Sequence, residues 1–216
     1  MMEEGTQIPE KTQTTPCPGC GGPISYAPSL DAQMVVCPYC KLASAVVPEG
    51  LAPVGDTAPL AEMPSLFAMG KRGVLEGKAF VVAGRARYQY EDGFWDEWIL
   101  YFPEDEKAMW VTEDEGEWVF FREKQVLQEH TDVGSWSAMS QAEVADKSFF
   151  VNERGACTPL GAEGQIFMIP AFGVSYEYAD GTTQEGEEIV VMDMGQSTAV
   201  CLGHPIGFGE ITWKET

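Results

Sequence analysis

Two short knuckles, Cys17-Pro18-Gly19-Cys20 and Cys37-Pro38-Tyr39-Cys40, constrain this chain more than any other feature in it. Each turns two sulfurs toward one point, and the loop from Cys20 to Cys37 has the length of a four-cysteine zinc ribbon. Pro18 and Pro38 stiffen the knuckles, while Gly19, Gly21 and Gly22 let backbone amides fold toward the thiolates. Residues 23–26 and 33–36 read as the two strands of one hairpin, with Pro28, Ser29 and Asp31 at its turn. The spacing predicts one zinc ion on Cys17, Cys20, Cys37 and Cys40. Two disulfides, or iron in a rubredoxin-like site, are the alternatives. Four thiolates leave no coordination position open, so the zinc is expected to be structural. It would supply folding free energy that so short a segment cannot gain by burial.

Charge narrows the partners. The chain has 216 residues, 13 basic and 34 acidic, for a net charge of -21. A phosphate backbone would be repelled, and near the knuckles only Lys11 and Lys41 could attract one, so no nucleic acid partner is expected. The carboxylates are scattered through turns and not gathered in a block, which suits solubility. Residues 1–15 are polar and acidic, without the apolar run of a secretory signal, and no stretch reaches membrane-span length. Cys157 and Cys201 stand apart from the knuckles and have no evident pairing, which fits a reducing compartment. A cytoplasmic protein is expected.

The order along the chain is a disordered lead-in (1–15), the ribbon (16–47), a linker (48–65) and a β domain (66–214). Pro48, Pro53, Pro59 and Pro64 argue against regular structure in the linker. From Leu66 onward, aromatic and β-branched residues are cut at short intervals by Gly, Asp or Glu, an all-β signature. This region repeats itself. Glu76-Gly77-Lys78-Ala79-Phe80 recurs as Glu163-Gly164-Gln165-Ile166-Phe167, and Tyr88-Gln89-Tyr90-Glu91-Asp92-Gly93 recurs as Tyr176-Glu177-Tyr178-Ala179-Asp180-Gly181. The offsets are 163 minus 76, or 87, and 176 minus 88, or 88. Pro170 then sits at an extra residue, which reads as a β-bulge. Residues 97–101 lie over 188–192, and 108–111 over 199–202. Two copies, about 70–122 and 148–213, would each be an antiparallel meander turning first near Asp92-Gly93 and Asp180-Gly181. One meander would leave an apolar face wet, so the two are expected to form a single sandwich or barrel. In the connection between them, Ser140–Lys147 suggests a short helix with Ser140 and Glu143 as a capping box.

The run Gly84-Arg85-Ala86-Arg87-Tyr88, followed by Trp95-Asp96-Glu97-Trp98-Ile99-Leu100-Tyr101 and then by Trp110 and Trp118, resembles an uncharacterised bacterial family, domain of unknown function 4178. Glu153, Glu163-Gly164 and Tyr178-Ala179-Asp180 extend the resemblance over roughly residues 70–213. It implies no activity. It does imply a leading zinc ribbon and a partner in a membrane-stress-related system, which allows a membrane-associated partner.

Trp98 alternates with Leu100 and Phe102 and belongs in a core. Arg85 and Arg87 share one side of a strand, where a cross-strand salt bridge to Asp96 or Glu97 competes with an anion site. Together with Trp95, these two arginines are the candidate partner-binding residues. His130 and His204 come with no visible partner, and no nucleophile motif or phosphate loop is present. The sequence thus describes a non-catalytic adaptor, a structural zinc ribbon flexibly joined to a duplicated β domain that binds a protein. An enzyme using the β-domain cleft is the alternative, and a nucleic-acid-binding ribbon comes third.

Overall fold

A computed structural model describes residues 13–27, 33–166 and 171–214. Among them the order of strands is β1 (Gln13–Pro16), β2 (Pro23–Tyr26), β3 (Met34–Val36), β4 (Leu42–Val47), β5 (Gly50–Asp56), β6 (Arg72–Leu75), β7 (Lys78–Gln89) and β8 (Phe94–Phe102). There follow β9 (Lys107–Asp114), β10 (Glu117–Leu127), β11 (Gln141–Val144), β12 (Lys147–Ile166), β13 (Tyr176–Thr183), β14 (Glu188–Asp193), β15 (Thr198–Pro205) and β16 (Ile211–Trp213). The described residues contain no α-helix.

The mainly β expectation holds, and the β domain closes on itself. Strands β7 to β10 form a meander, β10 pairs with β15, β15 to β12 run back as a second meander, and β12 pairs with β7. All these pairings are antiparallel, giving a ring of eight strands without an open edge. Both faces of its strands carry buried clusters. On the outer side of one meander, Phe80, Val82, Trp98, Leu100, Val111 and Phe120 pack with Phe67, Leu75 and Ile211. On the outer side of the other, Phe149, Val151, Ala179, Ile189, Val191 and Val200 pack with Val133 and Val144. The opposite face carries Ala86, Tyr88, Trp95, Cys157, Tyr178, Met192 and Ala199. Trp95 and Tyr178 belong to strands that are not neighbours in the ring, yet their rings meet at 5.2 Å, so this face points inward.

Each meander is introduced by a hairpin with a two-residue turn. Glu76-Gly77 joins β6 to β7 and Ala145-Asp146 joins β11 to β12, all four residues at positive φ, as a tight hairpin requires. Each then has a bulge, near Ala83 in β7 and Asn152 in β12. By this layout β7 answers to β12, β8 to β13, β9 to β14 and β10 to β15. The sequence repeat placed β8 over β14 and β9 over β15, one strand out of step. Asp92-Gly93 does turn a hairpin, closed by the Tyr90 amide on the Gly93 carbonyl at 3.0 Å. Asp180-Gly181 does not. It lies inside β13, with Gly181 opposite both Val151 and Ile189. Phe167 and Pro170 lie outside the described residues.

Three further expectations are corrected. Ser140–Lys147 is not a helix but the β11–β12 hairpin, because Ala142 and Val144 are buried in alternation with exposed Gln141 and Glu143, and Ala145-Asp146 adopt the turn conformation. Within the proline-rich linker, residues 50–56 form β5 on β4. Pro53 is tolerated there because β5 is an edge strand. Residues 13–15 of the lead-in belong to β1, and residues 1–12 lie outside the described residues.

Candidate metal centre

Each knuckle is itself a hairpin turn. The first joins β1 to β2, with Pro16 opposite Pro23, and the second joins β3 to β4, with Val36 opposite Ala43. The expected single hairpin of residues 23–26 with 33–36 is therefore not formed: β2 pairs with β1, and β3 with β4 and β12. Pro28, Ser29 and Asp31 fall outside the described residues. The two turns share one backbone pattern. Gly21 donates to the Cys17 carbonyl at 2.9 Å and Lys41 to the Cys37 carbonyl at 3.0 Å, and both donors have positive φ. Glycine suits that conformation at position 21, and Lys41 adopts it at some steric cost.

These turns bring the four sulfurs within 4.8 Å of one another. Cys17 Sγ lies 3.6 Å from Cys40 Sγ, and Cys20 Sγ lies 3.7 Å from Cys37 Sγ. A tetrahedral site with metal–sulfur bonds of about 2.3 Å has sulfurs roughly 3.8 Å apart, whereas a disulfide needs about 2.05 Å. The cluster fits a metal ion and excludes disulfides in this arrangement. At Cys17, burial pushes the thiol up, but the Cys20 and Gly19 amides and the neighbouring sulfurs outweigh it and bring it down to about 7. At Cys40, the Leu42 amide favours the thiolate, but burial and the three neighbouring sulfurs push it up to about 12. Four thiols this close resist losing all their protons until a cation replaces them.

The ribbon is built into the ring. Val35 and Met34 of β3 pair with Gln165 and Ile166 at the end of β12. The buried Gln165 amide clamps the backbone of Ala27, accepting its N–H at 3.0 Å and donating to its carbonyl at 3.1 Å. Lys41, next to the last ligand, reaches Glu163 at 3.3 Å. Met34, Val36 and Ala43 belong to the same buried cluster as Ala86, Tyr88 and Trp95. The segment Glu163-Gly164-Gln165, singled out as half of a repeat, is thus the seat of the ribbon.

The candidate partner-binding residues are placed differently. Arg85, Arg87 and Trp95 are all buried. Arg85 donates to Asp96 at 2.7 Å, and Arg87 donates to both Asp96 oxygens at 2.8 Å while also holding the Ala61 carbonyl. The cross-strand salt bridge is formed, and it leaves these arginines no surface for a partner. Trp95 stacks on Tyr88 inside the ring. Trp98 is in the outer core, with its indole N–H on Glu113 at 2.8 Å. Both histidines have partners that their sequence context did not reveal: His130 meets Asp193 at 3.1 Å and His204 meets Glu76 at 3.3 Å.

A family model described as Domain of unknown function (DUF4178) matches residues 68–207. Neither a curated protein nor a solved structure matches the chain.

Proposed function

We propose that this chain, which belongs to the DUF4178 family, is a non-catalytic adaptor in which a zinc-clamped ribbon and the ring it is seated on present one rigid surface to a protein partner. The observation that carries this reading is the second knuckle. Tyr39 stands between ligands Cys37 and Cys40 and is 64% exposed. Its ring lies so close over Gly22 that a side chain there would come within 2.7 Å of it. An exposed aromatic on a backbone fixed by a metal loses little freedom when it is buried in an interface, which is the property of a binding anchor.

The donor set supports zinc, because four thiolates suit that ion and complete its coordination, so the metal would carry no chemistry. The net charge of -21 argues for a protein partner over nucleic acid. Free cysteines throughout support a reducing, cytoplasmic setting. No described helix is long and apolar enough to cross a membrane. By family resemblance the partner belongs to a membrane-stress-related system.

Purified protein should contain about one zinc per chain, lost in Cys37→Ser. Tyr39→Ala should keep the metal and the fold but lose the partner that the parent protein captures from its host. Metal-free protein, or undiminished capture by Tyr39→Ala, would refute the respective half of the proposal.

A further inference from the structure

The ribbon covers one end of the ring without filling the space beneath it. Val81 on β7 and Tyr101 on β8 are in register, and they alternate with Val82 and Leu100, which belong to the outer core. Val81 and Tyr101 therefore stand on the inward face. They lie at the end where β12 parts from β7 at Gly164 and passes to β3, so the inward face runs on beyond the last β7–β12 pair. Ala27, which follows β2, packs there with Tyr101, Val81 and Ala83. Between ribbon and ring lies a cavity of about 530 Å³. Small-molecule sites span roughly 300–1,000 Å³ and favour seams between modules and the mouths of barrels.

The lining sets the chemistry of an occupant. Ile24 and Val35 contribute from the ribbon, and Met69, Val81 and Ala83 from the ring side. Among the described residues two charged side chains line the cavity, Lys41 and Glu163, and they pair with each other at 3.3 Å. The lining is thus neutral within a chain of net charge -21. An ionic ligand would lose its hydration there and gain no counter-charge. The Gln165 amide is spent on both groups of Ala27, and the Ser25 hydroxyl meets that of Thr14. Lys41, partly exposed, has three N–H groups, of which Glu163 takes one. The lining therefore offers an apolar interior and a hydrogen-bond donor.

We propose that this cavity binds a small uncharged molecule with an apolar body and one carbonyl group, the body held between ribbon and ring and the carbonyl accepting from Lys41. A carbonyl accepts without bringing a proton of its own, so the Lys41–Glu163 pair stays intact. Such a ligand touches both modules, and its binding favours the seated ribbon over an open one. Tyr39 does not line the cavity, so the site is separate from the surface assigned to a protein partner.

The test is titration of the full-length, zinc-loaded protein with prodan, an uncharged naphthalene ketone whose emission moves to the blue out of water. One prodan should bind per chain, with blue-shifted emission and a raised melting temperature. Val81→Trp fills the cavity and should weaken binding by at least about 10-fold. Lys41→Met keeps the aliphatic stem and removes the donor. It should weaken prodan on the order of 10-fold and leave phenylnaphthylamine, an uncharged dye without a carbonyl, unchanged. An anilinonaphthalene sulfonate should bind far more weakly than prodan. Three outcomes would overturn the site: no saturable binding to the parent, binding that lowers the melting temperature, or undiminished binding to a folded Val81→Trp. Equal loss of both uncharged dyes in Lys41→Met would overturn the carbonyl contact, and that variant decides alone if Val81→Trp does not fold. Tyr39→Ala should bind prodan as the parent does, which keeps this result distinct from that of partner capture.

Discussion

Asp96 and Glu97 are sequence neighbours with opposite fates. Asp96 faces the outer core and is held between two guanidiniums, while Glu97 points into the ring beside Tyr88. Alternation in the sequence separates them to opposite faces, but it does not say which face is dry. Here both are, so the usual signal of one apolar and one polar side fails, and Arg85, Arg87 and Trp95 read as a surface when they are interior. Trp98 was legible because its neighbours at i+2 and i+4, Leu100 and Phe102, are apolar without exception. Glu97 carries a measurable consequence. Its ordinary value is 4.5 and burial raises it to about 7, so between those values the folded state holds a proton that the unfolded chain releases. Its contribution is fully present below 4.5 and is lost as pH rises through 7. The unfolding free energy of Glu97→Gln minus that of the parent should therefore grow from pH 5 to pH 8, by about 2 kcal/mol after allowance for partial exposure. Urea titrations at both pH values read it directly, and acid effects on the thiolates cancel in the difference. A difference that stays flat with pH would place Glu97 in water.

Strands were found in the sequence more readily than their partners. Residues 188–192, aligned in the repeat as a strand of the second meander, lie in β14, and the turn at Asp92-Gly93 is real, because hairpin chemistry is local. What misled was a second Asp-Gly serving another purpose. At Gly181 any side chain would collide with the Phe150 carbonyl, so glycine is required there by close strand packing and not by a turn. The bulges near Ala83 and Asn152 also add residues to strands at points with no proline or glycine pair to mark them, which lets a repeat slide by one strand. Two glycines of the same meander should separate these roles. Gly181→Ala must displace backbone and should cost on the order of 3 kcal/mol or more. Gly186→Ala meets no atom but forces a positive φ of 86°, and should cost only about 1 kcal/mol. Thermal or urea unfolding of the two variants gives the ranking, and equal costs would contradict the packing role of Gly181.

The four-cysteine cluster was legible in the sequence, whereas the pairing of its strands and its attachment to the ring were not, and the difference is sequence distance. Knuckle ligands are three residues apart, but the clamp that seats the ribbon joins Ala27 to Gln165, 138 residues away. Nothing local at Gln165 announces a buried amide aimed at a backbone. A proline-rich segment between the modules suggested independent motion, yet β3 extends the ladder of β12, and Met34, Val36 and Ala43 complete the inward core. Metal binding and ring stability should therefore be coupled. Chelation, or Cys37→Ser, is expected to lower the melting temperature of the whole chain and not merely melt the ribbon, because losing the ribbon uncovers apolar surface at Ala86, Tyr88 and Ile166. Gln165→Ala tests where that coupling passes. It leaves every sulfur in place, so zinc content should stay near one per chain. It also removes both bonds to Ala27 and leaves that backbone unsatisfied in a buried seam, at a cost of about 1–3 kcal/mol. The ribbon should then open before the ring, and tryptophan fluorescence, which reports the ring, should melt at a higher temperature than zinc release. In the parent protein the two signals should coincide. If they separate there as well, the ribbon is an independent module despite its seat, and the flexible arrangement suggested by the prolines is correct after all.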